Sequence, residues 1–232
     1  MVPGNGDVVE LEMVKRIKQA LEDVDDPHHE YLHALQTRSE FNDHPVMWSE
    51  ERLQEELGGT ILHDVFKATV GQWFRKGLLN DDPATRFATA VMLSRCFEHE
   101  EVKLALVPFA DQFNHSSDSW HTKIREDGER GFLMFAERNI HAGEQIFNFY
   151  GPHSDSWLLL THGFTEASNP FNDEIMLPSD DQVKSVSLAD IPDDIDFADL
   201  RCRLDKLYTS TARNTFIRDL EIATLTRILD KQ

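Results

Sequence analysis

Three stretches of the chain carry side chains whose types and settings could do chemistry. In VPFADQFNHSSD (107–118) an apolar run stops at Asp111 and sets Asn114 and His115 side by side before two serines. Asn, Asp and Ser bond readily to their own backbone, so the pair reads as a turn, or as an amide and an imidazole presented to a pocket. Arg95 closes the apolar face of a helical run, where an unpaired guanidinium is costly. It either reaches outward along its stem or meets a buried carboxylate. Tyr150 ends a strand-like run just before Gly151, with its phenol facing a cleft at a sheet edge or satisfied within the core. Each feature has an ordinary structural explanation; their order along the chain is what points to a site.

Other chemistries find less support. Eleven histidines invite a metal, yet HExxH and CxxC patterns are absent, and His28, His29 and His33 have no matching carboxylate or thiolate spacing, so no metal site is expected. GxSxG, the usual serine-hydrolase signature, is missing. The glycines are scattered, and VPGNGD neither follows a strand nor precedes a lysine, so no phosphate loop is expected.

With 42 acidic against 23 basic side chains, the 232 residues carry a formal charge of −19. That field opposes association with nucleic acid and anionic lipid and draws basic partners such as a lysine-bearing protein segment; a solvated acidic surface is the plainer explanation. No run approaches the roughly 18 apolar residues that span a bilayer, and MVPGNGDVVELEM lacks the blocks of a secretory signal. Cys96 and Cys202, without metal spacing, fit a reducing compartment. The expectation is a soluble intracellular protein, cytoplasmic with nucleus or plastid as alternatives, monomeric, with no nucleic-acid or membrane partner.

The elements that must position these residues follow from periodicity. A first helix is expected over 8–25 on Leu11, Val14, Ile17, Leu21 and Val24, opened by an Asp7 and Glu10 capping box. A short helical piece follows at 30–35, then a loop to Pro45. Ser49 caps EERLQEEL, with Trp48 and Leu53 placed as a hydrophobic staple and Gly58 and Gly59 as its stop. A helical pattern runs over 61–79. Asp82 and Pro83 open another helix, in which ATRFATAVMLSRCFEHE aligns Ala84, Phe87, Ala88, Val91 and Arg95 on one face. After Leu104 the pattern turns to strands in LALVPFA, GFLMFAER and EQIFNFYG; in the last, Ile146, Asn148 and Tyr150 share a face. HSDSWLLLTHGF reads as a helix begun at Ser154 or Asp155 and ended by Gly163. Residues 172–199 are acidic and mixed, and helical spacing returns over 197–229 as a subdomain.

Taken in order, SRCF (94–97), LVPFADQFNHSSD (106–118) and AGEQIFNFYGPHSDSWLLLTHGF (142–164) resemble the SET-domain protein methyltransferases of the Rubisco large-subunit lysine methyltransferase type. The specific combination is the NH pair, the GEQ(I/V)xxxYG strand and the helix that ends in GF. PVMWSEERLQEELGGTIL (45–62) is similar to that family's helical insert, and NDEIMLP (172–178) onward to the start of its helical substrate-binding domain. The resemblance thus runs from about residue 30 to the end. The family's N-terminal GxG turn and its following strand have no counterpart, so the chain reads as a fragment, a truncated gene product or a degenerate member. The resemblance implies an α+β fold of small SET-type sheets with a knot-like C-terminal core. It divides the chain into a helical insert region over 1–100, a C-terminal SET core over 101–170, and the start of the substrate-binding domain over 171–232.

The resemblance further implies methyl transfer from S-adenosylmethionine to a protein side-chain nitrogen. Carried over by position, Arg95 pairs with the polar end of that cofactor. Asp111, Asn114 and His115 form the cofactor wall, while His162, Gly163 and Phe164 close over the adenine. Tyr150 matches the active-site tyrosine; with an ordinary pKa of about 10 it suits orienting an amine better than acting as a simple general base. Phe97 and Ala110 flank the substrate channel, whose aromatic wall favours the stem of lysine, with histidine as the alternative acceptor. A non-catalytic protein-binding module of the same fold is the other reading.

Overall fold

A computed structural model describes residues 5–99, 103–127, 131–178 and 183–231. Two apolar clusters organise the helices. In the first, α1 (Asn5–Glu22) and α2 (His29–Gln36) meet α6 (Pro83–Arg95), so that Val14, Ile17 and Leu21 pack with Leu32, Leu35, Phe87, Ala88 and Val91. The second gathers α4 (Glu50–Leu57), α5 (Ile61–Lys76), α7 (Asp155–His162), the hairpin of β7 (Glu174–Leu177) and β8 (Lys184–Ser187), and the final helices α8 (Phe197–Thr209) and α9 (Thr215–Leu229). Helix α6 touches α1 on one side and α7 on another, and so bridges the two.

The chemistry-bearing strands lie between these helices in sequence. β1 (Cys96–His99) turns directly out of α6 and pairs antiparallel with β2 (Lys103–Leu106). A four-stranded sheet has the order β3 (Asn114–His115), β6 (Phe147–Asn148), β4 (Thr122–Asp127), β5 (Gly131–Ala136). β3 and β6 run parallel, with Asn114 opposite Phe147 and His115 opposite Asn148. The α+β class with a helical insert and a C-terminal helical subdomain is thus observed.

Local signals placed most helix ends. The Ser49 hydroxyl accepts from the Arg52 N–H at 3.2 Å, and the Asp82 carboxylate from the Ala84 N–H at 3.3 Å ahead of Pro83. α5 stops at Gly77 in the left-handed conformation, short of residue 79. Other expectations need correction. α1 already includes Asn5, so Asp7 lies inside the helix and not at its cap. That helix ends at Glu22, and Val24 stands 73% exposed, because a side chain beyond the last turn leaves the apolar stripe. The stretch 37–44, expected as loop, holds the single-turn helix α3 (Ser39–Asp43), which buries Phe41. The run through residue 100 is not one helix: Cys96 takes extended angles, and strand pairing with β2 replaces helical bonding. TKIRED becomes strand β4 despite its charges, since pairing with GFLMFA along its whole length satisfies its backbone. Residues 172–199 contain the β7–β8 hairpin, whose Ile175, Met176 and Val186 are core. No helix of the described residues is long and apolar enough to cross a membrane.

One buried carboxylate ties the C-terminal subdomain to the rest. Glu221 of α9 accepts the N–H groups of Ile61 and Leu62 at 2.8 and 2.7 Å, so it caps α5 from another element. Burial pushes its pKa up to about 8, against the two N–H donors that favour the charged form. The native state therefore holds this proton more tightly than the unfolded chain does. Stability from this group is full below about pH 4.5 and is lost as pH rises through about 8. Glu221→Gln removes the titration, so the melting temperature of the natural chain should fall relative to that of the variant between pH 5 and pH 9. A difference independent of pH would contradict this.

Candidate active site

The site is assembled where α6 ends. Positions 87, 88 and 91 hold one face of α6 in the core, and Arg95, one turn on, emerges with its side chain 12% exposed. Its guanidinium donates to the Asp111 carbonyl at 2.7 Å and the Asp111 carboxylate at 3.1 Å, and pairs with Glu40. The Phe41 ring lies 5.3 Å beneath it. The Asp111 side chain is wholly buried and also receives the Tyr31 hydroxyl and the Gln112 amide, the latter at 3.0 Å. Its Oδ1 is buried without a partner.

Parallel pairing of β3 and β6 sets the next layer. It brings the Tyr150 N–H onto His115 Nδ1 at 3.1 Å and lays the two rings at 4.9 Å and 28°. With Nδ1 accepting, the proton sits on Nε2, which faces the Ser117 hydroxyl at 3.0 Å and the Glu166 carboxylate at 3.4 Å. Burial holds the His115 pKa below its ordinary value. The Tyr150 hydroxyl donates to the Phe113 carbonyl at 2.6 Å, and burial pushes its pKa up to about 12. It is a neutral phenol at physiological pH.

Helix α7 supplies the third layer. His162, its last residue, lies 5.1 Å from the Tyr150 ring, and Gly163 follows at φ +80°. A Cβ at Gly163 would come 3.1 Å from the His44 Cα, so close approach as well as conformation demands glycine. Buried His44 accepts the Val46 N–H at Nδ1 and faces the Thr161 carbonyl at 3.0 Å with Nε2, tying the turn after α3 to α7. Burial pushes the pKa of His44 down to about 4 and that of His162 down to about 3, the latter helped by His44, His153, His115 and Arg95.

These residues enclose a cavity of about 410 Å³ walled by Arg95, Asp111, Asn114, His115, Tyr150, His162, Gly163 and Phe164, with Glu40, Phe41, Asp43, His44 and Ser94. Every residue expected to touch the cofactor is in this one wall. A second cavity of about 580 Å³ adjoins it and shares Ser94, Arg95, Asp111, Tyr150 and His162; its own lining includes Phe97, Glu98, Phe132, Phe149, His153 and Trp157. Phe97 packs 5.9 Å from Phe132 there. Ala110 borders neither cavity; it opens the single turn Ala110–Gln112 that delivers Asp111. Arg95, expected to await the cofactor, is already paired with two carboxylates of its own chain. Sequence reasoning missed Glu40, His44, Glu166, Trp157 and Tyr31. Only His44 carried a signal, its place before Pro45 at a turn; nothing marked Glu40 among so many acids.

The wall suits a sulfonium nucleoside. Phe164, His162 and Tyr150 give flat surfaces for a heterocycle, and the orphaned Asp111 Oδ1 and the Asn114 amide can meet amino or hydroxyl groups. Glu40, Asp43 and Asp111 favour a positive centre.

Comparison with protein families matches residues 5–151 to the SET domain. The chain belongs to the SET-domain family. The match begins inside α1, well before residue 30, and runs through Tyr150 to Gly151. The chain is 30% identical over 137 residues to the ribosomal lysine N-methyltransferase set11 of Schizosaccharomyces pombe, covering 56% of this chain and 34% of that protein. It is 26% identical over 162 residues to the actin-histidine N-methyltransferase of Canis lupus familiaris, covering 60% and 27%. The chain thus spans about a third or less of the length of these relatives. A crystal structure of the SET domain of LSMT bound to methyllysine and AdoHcy superposes with a TM-score of 0.54 at 20% identity, over 93% of this chain and 59% of that one, and shares its fold.

Two outcomes follow from the geometry. His44 and His162 should stay neutral in the native state, with ring resonances showing no midpoint above pH 5. Since their native pKa values lie below the ordinary 6.5, their stability contribution is present above pH 6.5 and lost as pH falls toward 4 and 3. A native midpoint near 6.5 would refute this. Separately, Phe109 sits at φ +83° and ψ −49° with its side chain 83% exposed, a strained backbone with little packing to compensate. Phe109→Gly should raise stability by about 1 kcal/mol, read as a higher denaturation midpoint; a lower midpoint would show that the ring is needed for the fold.

Proposed function

We propose that the chain carries the active site of an S-adenosylmethionine-dependent protein-lysine N-methyltransferase. The observation that carries this reading is the position of Tyr150: its ring belongs to the common wall of two adjoining cavities, one polar with flat aromatic and imidazole surfaces, the other largely aromatic. Such a wall suits a reaction in which two molecules meet from different compartments. When bound, S-adenosylmethionine supplies a methyl group on a sulfonium sulfur, open to in-line attack by nitrogen.

The roles of this chain's residues follow from their contacts. Asp111 and Asn114 bind polar groups of the cofactor, and His162, Gly163 and Phe164 pack on its adenine. Arg95 acts through Asp111 and Glu40 and keeps that acidic wall in place. His115 orients Tyr150 through the Tyr150 N–H and the stacked rings. The Tyr150 phenol, neutral and held at the Phe113 carbonyl, offers its oxygen lone pairs to align an amine and its ring to exclude water. Phe97, Phe132, Phe149 and Trp157 fit the aliphatic stem of lysine. Histidine is the second acceptor, favoured by Glu98 and His153, which could bond an imidazole's other nitrogen. The division into a helical insert region (1–100), a catalytic core (101–170) and a substrate-binding start (171–232) belongs to the same proposal, as does Ala110 at the channel.

Calorimetry with S-adenosylmethionine should show one binding site on the folded chain. No binding would favour a non-catalytic module. Tyr150→Phe should retain that binding and lower transfer of labelled methyl groups to protein lysines by about 10²-fold. An undiminished rate would remove Tyr150 from the mechanism.

A further inference from the structure

Glu166 lines neither cavity, yet a directed chain of hydrogen bonds joins its carboxylate to Tyr150. At one end the Tyr150 N–H can only donate, and it donates to His115 Nδ1 at 3.1 Å. At the other end an ionised carboxylate can only accept. Glu166 Oε1 takes the Ser117 N–H at 3.0 Å, and Oε2 takes the Ser117 hydroxyl proton. The Ser117 oxygen is thereby left as an acceptor, and His115 Nε2 faces it at 3.0 Å. Oε2 itself stands 3.4 Å from Nε2. Both ends of the chain therefore demand the same tautomer, with the proton on Nε2 and the lone pair on Nδ1. The His115 side chain is wholly buried, so bulk water does not compete for either nitrogen. Glu166 is held in turn. Its N–H donates to Asp155 Oδ1 at 2.7 Å, and buried Asp155 exchanges bonds with the Asn172 amide, whose oxygen accepts the Asp155 N–H at 2.8 Å.

We propose that Glu166 is a positioning residue for Tyr150: by accepting both Ser117 protons it keeps His115 Nδ1 free to accept the Tyr150 N–H. Its catalytic consequence rests on the methyltransferase reading. Substitution separates polarity from shape. Glutamine has the shape of glutamate, but only one of its two terminal atoms accepts. With its oxygen on the Ser117 N–H, its NH₂ donates to the Ser117 oxygen, and the Ser117 hydroxyl turns its own proton to His115 Nε2. That puts the imidazole proton on Nδ1, donor against donor with the Tyr150 N–H. The opposite amide orientation sets the NH₂ against the Ser117 N–H and gains nothing. Aspartate is shorter, but it accepts at both oxygens and so preserves the original direction. A residue needed only for packing tolerates Gln better than Asp; a residue needed for acceptor polarity tolerates Asp better than Gln.

The test uses the 232-residue chain, uniformly labelled with nitrogen-15. By NMR, the natural chain and Glu166→Asp should carry the His115 proton on Nε2 and show a coupling across the hydrogen bond between the Tyr150 amide nitrogen and Nδ1. Glu166→Gln should carry that proton on Nδ1 and lose the coupling. With S-adenosylmethionine and pentalysine at saturation, Glu166→Gln should lower kcat by about tenfold and Glu166→Asp by less. A Gln variant that keeps the coupling, one that loses it at undiminished kcat, or a larger kcat loss for Asp than for Gln overturns this inference and leaves the methyltransferase reading intact. Where Glu166→Gln does not melt cooperatively, the other two chains decide: a His115 proton on Nδ1 in either overturns the inference. A natural chain that transfers no methyl group overturns the catalytic role and the methyltransferase reading together.

Discussion

The ion pair between Arg95 and Asp111 is the constraint on which the site depends. Both groups are taken out of water, at a cost of several kcal/mol for each ion unless the partner and further hydrogen bonds replace the lost hydration. Asp111 finds Arg95, Tyr31 and Gln112; Arg95 adds Glu40 and the ring of Phe41. Residues from α2, α3, α6 and the turn after β2 are therefore locked to one another at a single point. The desolvation of both ions offsets most of their mutual attraction, and for that reason the pair is worth more to the geometry of the wall than to net stability.

Around this point the histidines serve as connectors. His44, His115 and His121 each accept a backbone N–H at Nδ1, from Val46, Tyr150 and Phe147. Each turns Nε2 to an oxygen: the Thr161 carbonyl, the Ser117 hydroxyl, the Glu144 carboxylate. An imidazole can be donor and acceptor at once only while neutral, and burial of His44 and His115 favours that form. The abundance of histidine thus serves to join irregular segments, where strands of two residues supply few ladder bonds of their own.

How much could be read beforehand varied with the range of the interaction. Capping at Ser49, Asp82 and Gly163 is decided within a few residues, and those boundaries were legible. Cys96–His99 was not, because its pairing with Lys103–Leu106 overrides a helical pattern that continues past Arg95. Strand β4 hid behind its charges and the β7–β8 hairpin behind an acidic composition. In the site, Arg95, Asn114, His115, Tyr150 and the His162 to Phe164 segment were recognisable by order. Glu40, Glu166 and Tyr31 act through partners 55, 49 and 80 positions away, and no local pattern records such contacts.

What the sequence determined by itself were the features set by neighbours along the chain: helix caps, the glycine that ends α7, the apolar stripes of α1 and α6, and the excess of negative charge. Tertiary structure alone decided that Asp111 would bury its carboxylate against Arg95, that two parallel residue pairs would hang Tyr150 above His115, and that Tyr150 would stand between two cavities. The reason is one of length scale. Local bonding energies depend on residues within a turn or two, whereas desolvation and pairing of buried polar groups are settled only once distant segments pack and exclude water.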